Sequence, residues 1–200
     1  MSLDLSKTST PRDFGALMPS GTTAPMQVRI KPGGHGEAGL LTPAETEKGR
    51  SAYLHLEYVI TAGPHKDRKI WGRSTVEGDN HASAIEITQD LLGSLARSAF
   101  NFGMKDTGAE VEAKLKDFDL RTLDGLRFIG KIGVERGKMD SFSGERWPDK
   151  NTVVAGVTRD QKEWAQWGPV TQDLNDGLAG AMTSPSASPS SAVETPPWAE

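Results

Sequence analysis

From Tyr53 to Ile60 apolar side chains fall on every second residue, at Leu54, Leu56, Tyr58 and Ile60, with Tyr53, His55 and Glu57 between them. Alternation with period two is the signature of a strand with one buried face. Residues 62–68 (AGPHKDR) break the pattern; Gly63 and Pro64 set a turn and the charges keep it in water. Alternation resumes at Ile70, with Lys69, Trp71, Arg73 and Thr75 on the opposite parity. The two runs predict a β-hairpin with an aliphatic inner face and an outer face of aromatics among cations.

The same reading extends along the chain. Met26–Ile30 alternates and predicts an earlier strand, ended by the glycine-rich residues 32–36. Thr42 before Pro43 predicts a capped helical turn. Asp79 or Asn80 stands where it would cap a helix carrying Ala84, Ile87, Leu91, Leu95, Ala99 and Phe102 on one face, stopped by Gly103. A short, charged helix is expected over Ala109–Leu115. Leu126–Val134 predicts a strand with Leu126, Phe128, Ile132 and Val134 inward and Arg127, Ile129 and Lys131 outward. Gly130 and Gly133 mark curvature in it. Residues 137–151 read as a long loop and Thr152–Thr158 as a last strand, with Trp164 and Trp167 placed to cover the end of the core.

The expected class is mainly β with one or two helices, an α+β protein. The order is three strands, a helix and two strands, which predicts a five-stranded OB-fold-like barrel with its helix between strands three and four. Residues 1–25, rich in Ser, Thr and Pro, read as a flexible arm, 26–170 as the domain, and 171–200 as a disordered acidic tail.

Charge changes the picture once it is divided by segment. The net charge is −4. Residues 1–49 carry five basic and five acidic groups, and residues 50–160 carry seventeen of each. Residues 161–200 carry one basic group against five acidic ones, so the imbalance lies wholly in the tail. Inside the domain the cations gather over 65–73 and 126–138, and the carboxylates over 106–124. A local basic face counts for more than the total.

These features point to a single-stranded nucleic acid, whose bases stack on aromatics while cations hold its phosphates. The candidate platform is Tyr53, His55, Lys66, Arg68, Lys69, Trp71 and Arg73, with Arg127 and Lys131 on the later strand. The long loop adds Arg136, Lys138, Phe142, Arg146, Trp147 and Lys150, placed to close over a bound strand. In the tail, Glu194, Trp198 and Glu200 form a candidate tip for docking a partner protein.

Other classes find less. The chain has no cysteine, which removes disulfides, thiolate zinc sites and a cysteine nucleophile. The four histidines lack paired-ligand spacing, and Pro148-Asp149-Lys150 is a nuclease fragment without its second acid. No catalytic residue, metal site or cofactor is assigned, and a DNA-processing nuclease stays a rival. An OB-fold adaptor that binds protein instead of DNA is the other. No apolar run of membrane-spanning length and no signal-peptide core are present, so a cytoplasmic location is expected. A homo-oligomer is compatible with the sequence.

The segment YLHLEY (53–58) followed by GPHKDRKIW (63–71) resembles a family of bacteriophage and prophage single-stranded-DNA-binding proteins, long catalogued as of unknown function. Leu123-Asp124-Gly125-Leu126 and Asp149-Lys150-Asn151 are similar to its later part, so the resemblance covers roughly residues 25–160. It implies a role in replication or recombination of phage DNA inside a bacterial host, and no catalytic residues. The tail is similar in plan to that of bacterial single-strand-binding proteins, though its tip holds only two carboxylates and ends Trp-Ala-Glu.

Overall fold

A computed structural model describes residues 16–36, 38–46, 49–116, 118–140 and 144–167. The class is α+β: among the described residues six antiparallel strands form one open sheet, accompanied by two α-helices and a 3₁₀ turn. The strands are β1 (Thr23–Lys31), β2 (Leu41–Thr46), β3 (Gly49–Ile60), β4 (Lys69–Gly78), β5 (Arg127–Glu135) and β6 (Lys150–Gly156). Helices α1 (Ala82–Ala99) and α2 (Ala109–Leu115) and the turn Leu120–Leu123 lie between β4 and β5.

β3 is the spine. One of its edges takes β1 over residues 55–60 and β2 over residues 49–54; the other takes β4. β1 pairs in turn with β5, and β5 with β6. Among the described residues no ladder joins β4 to β6, so the sheet is open along that seam. The expected closed barrel of five strands is therefore not what is seen.

The added strand is β2, where a helical turn was expected. Pro43 has no N–H to give, and β2 lies at the end of the sheet order with β3 as its only partner strand among the described residues, where a missing donor is tolerated. The arm also ends sooner than Pro25. β1 begins at Thr23, Met18 is buried, and Gly21 N–H donates to Ile132 O at 2.8 Å.

The inner face of the hairpin packs as its alternation predicts. Leu54, Leu56, Tyr58, Ile60 and Ile70 are buried with Met26, Val28, Phe128 and Ile132, and the Tyr58 and Phe128 rings meet edge-on at 5.9 Å. Two expectations fail against the helix. Ile87 is exposed, while Thr88, Ser94 and Ser98 are buried. The reason is that backbone groups of the sheet satisfy the serine hydroxyls: Gly156 N–H donates to Ser94 Oγ at 2.8 Å, and Ile129 N–H to Ser98 Oγ at 3.0 Å. Ile129, expected outside, is consequently sealed beneath α1. No side chain caps the start of α1; His81 stands there in place of Asp79 or Asn80. The helix ends before Gly103, because Asn101 adopts φ 58° and lets Phe102 N–H reach back to Arg97 O at 2.8 Å.

Among the described residues, no helix is long and apolar enough to cross a membrane.

Candidate nucleic-acid interface

The open seam between β4 and β6 forms a groove of about 1080 Å³. Its walls come from the β3–β4 turn, the outer face of β4, the start of β6 and the segment 16–18. Of the residues singled out in the sequence, His55, Lys66, Arg68, Lys69, Trp71, Arg73 and Lys150 line it. Trp71 is 53% exposed, so it is not part of the core. With Lys31, six lysines and arginines face the groove against Asp67 and Asp149.

The outer-face residues interlock across three strands. Register places His55 between Lys31 and Arg73, and Glu57 between Arg29 and Trp71. Tyr53 differs from expectation: the Arg73 guanidinium lies over its ring at 4.0 Å, and His55 meets it edge-on at 5.2 Å. That ring face is already occupied, so Tyr53 holds Arg73 in place and is half-buried doing so.

Glu57 is the residue that reading by parity missed. It is a carboxylate on the outer face whose side chain is only 7% exposed, covered by Lys69 Nζ at 3.1 Å and Lys31 Nζ at 3.6 Å. Burial pushes its carboxyl up, but the hydrogen bond and charge of Lys69, with Lys31 behind, outweigh this and hold it below the usual range. Lys31 was legible as the last outward residue of β1's alternation; its meeting with Glu57 depends on the β1–β3 register.

Segment 16–18 is fastened at both sides of the seam. Met18 N–H donates to Asn151 Oδ1 and Asn151 Nδ2 donates to Met18 O, each at 2.9 Å, while Arg68 donates to Ala16 O at 3.2 Å. Leu17 and Met18 thereby line the groove, although neither was among the predicted site residues. Nothing in their sequence marks them for this place.

The long loop is a short β-like arm. Met139 bridges to Arg146, Trp147 N–H donates to Lys138 O, and Asp140 N–H donates to Glu145 O. Gly137 is required at its base, since a Cβ there would run into the Trp147 carbonyl. Asp149 ties the base by accepting from Gly137 N–H at 2.9 Å and pairing with Arg146 at 3.3 Å. Arg136, Lys138, Arg146 and Trp147 are exposed but do not line the groove. Lys150 alone of the loop's cations reaches it, and also pairs with Glu135 at 3.2 Å. Arg127 and Lys131 are half-buried on β5, away from the groove lining. Trp167 packs on the β3–β4 turn, where a Cβ on Gly63 would lie 2.9 Å from its ring. Phe142, Glu194, Trp198 and Glu200 fall outside the described residues.

No protein-family model matches the chain, and no curated protein matches it.

Proposed function

We propose that this protein binds single-stranded DNA along the groove between β4 and β6. The observation that carries the reading is Trp71, a half-exposed indole set among Lys31, Lys69, Arg73 and Lys150 in one open cleft. An exposed indole offers every base a stacking surface, and the cations offer its phosphates counter-charges. The groove opens where no ladder joins β4 to β6 among the described residues, which leaves room for a polymer ligand. Its rim of long, solvated cations suits a backbone better than a compact small molecule.

The finer fold reading belongs with this proposal. What supports it is the order β4-β3-β1-β5-β6, with α1 between β4 and β5 and β2 as an added strand beside β3; the β4–β6 pairing that would complete an OB-fold is the open seam. In that fold the ligand surface is built on the second and third strands, here β3 and β4, with neighbouring loops. The resemblance of the hairpin to phage single-strand-binding proteins supports reading the activity as part of replication or recombination. The tail tip, Glu194, Trp198 and Glu200, would dock a partner protein in that process.

The test is a titration of oligonucleotides into the full chain over a salt series, followed by tryptophan fluorescence. Quenching with affinity that falls steeply as salt rises supports the proposal, because counterions leave the strand on binding. No quenching at low salt rejects it in favour of a protein-binding adaptor.

A further inference from the structure

A negative charge on a surface that binds phosphates works against binding unless it does something else there. Glu57 is such a charge. It stands opposite Trp71 in the β3–β4 ladder, on the face that carries His55, Lys69 and Arg73. Its cover is not the apolar core but two lysines from different strands, Lys31 of β1 and Lys69 of β4. Stability alone does not call for it, since a buried ion pair is often replaceable by apolar side chains without loss.

The lysines themselves show what the carboxylate achieves. Their side chains remain 57% and 46% exposed while their ammonium groups are held at 3.6 and 3.1 Å from Glu57. An ammonium has three donors, and a carboxylate contact leaves at least one directed outward. A free lysine loses much rotamer freedom when it engages a phosphate; one already fixed loses less. Both lysines also line the groove beside Trp71.

We propose that Glu57 is a positioning residue of the groove, holding the Lys31 and Lys69 ammonium groups as a preset pair of phosphate sites beside Trp71. The unit recognised is then one nucleotide step, its base on Trp71 and its flanking phosphates on the two lysines. This rests on the single-strand reading and assigns that reading its binding unit.

The experiment is a fluorescence-anisotropy titration of a labelled oligothymidylate with the full chain over a salt series. Wild type is compared with Glu57→Gln, Lys69→Met and the two combined, with thermal melts to establish that each is folded. Glu57→Gln should bind about tenfold more weakly although a negative charge has been removed, the scale set by ordering two long side chains on binding. Its log–log salt slope should stay close to that of wild type, because both lysines still meet phosphates and only the cost of ordering them changes. Lys69→Met should weaken wild type but change the Glu57→Gln background little. Equal or tighter binding by folded Glu57→Gln overturns the proposal and leaves DNA binding standing. Should Glu57→Gln fail to fold, Glu57→Leu fills the same space, and a folded Leu variant with wild-type affinity overturns it as well. Wild type that shows no salt-dependent affinity overturns the single-strand reading and this proposal with it.

Discussion

Asn151 and Met18 lie 133 residues apart and are joined by two hydrogen bonds of 2.9 Å, one in each direction. The Asn151 amide thus acts as a strand partner for Met18, and its Nδ2 also donates to Gly133 O at 3.3 Å. Asn151→Ala removes the partners of both Met18 backbone groups. Leaving buried backbone groups unsatisfied costs about 1–3 kcal/mol, so the denaturation midpoint should fall accordingly. Denaturant unfolding measures this. Asn151→Asp keeps the acceptor for Met18 N–H and should recover part of the loss.

Trp71 separates a binding role from a core role. At 53% exposure, Trp71→Ala should leave stability within about 1 kcal/mol of wild type, far from the roughly 3–5 kcal/mol of a core tryptophan. Oligonucleotide affinity should fall by about 1–3 kcal/mol, the range for losing one base–aromatic stack. Paired unfolding and binding titrations check it. Full stability together with unchanged affinity would remove Trp71 from the interface.

The arm and the groove should respond differently to loss of charge. Arg146 is tied to Asp149 and to Gly137 O, and neither Arg136 nor Lys138 lines the groove. Replacing Arg136, Lys138, Arg146 and Lys150 together by alanine should flatten the salt dependence of binding hardly more than Lys150→Ala alone. A much larger flattening would show that the arm closes onto the strand.

The hairpin was legible because alternation is a local signal and both faces of β3 and β4 obey it. β2 was not, since Thr-Pro reads as a helix start and only pairing with β3 makes it a strand. The buried face of α1 was misread by about one residue because Ser94 and Ser98 look polar along the chain. Their hydroxyls are satisfied by Gly156 and Ile129, partners supplied from far away. The groove's cations on β4 could be read from parity. Glu57 could not, because an outward carboxylate reads as solvated until Lys31 arrives from another strand.

Gly156 tests how tightly α1 seats on β6. A Cβ there would run into Ser94 O, a backbone atom that cannot swing aside. Gly156→Ala should therefore destabilise the fold by about 1–3 kcal/mol through overpacking, despite adding one methyl group. A thermal melt measures it. A smaller loss would mean that helix and strand separate freely.

Glu57 gives the fold a specific acid sensitivity. Its carboxyl titrates below the ordinary value of 4.5, because Lys69 and Lys31 favour the charged form more than burial disfavours it. A carboxylate with a depressed folded pKa binds its proton more readily when unfolded. The stability it contributes is therefore complete above pH 4.5 and is lost as pH falls through the lower folded value. Glu57→Gln cannot titrate, so the stability difference between wild type and variant should be flat at neutral pH and drift in the variant's favour on acidification. Urea unfolding of both proteins from neutral to acid pH measures the drift. A difference that stays constant down to the acid limit would show that the two lysines do not hold Glu57 in its charged form.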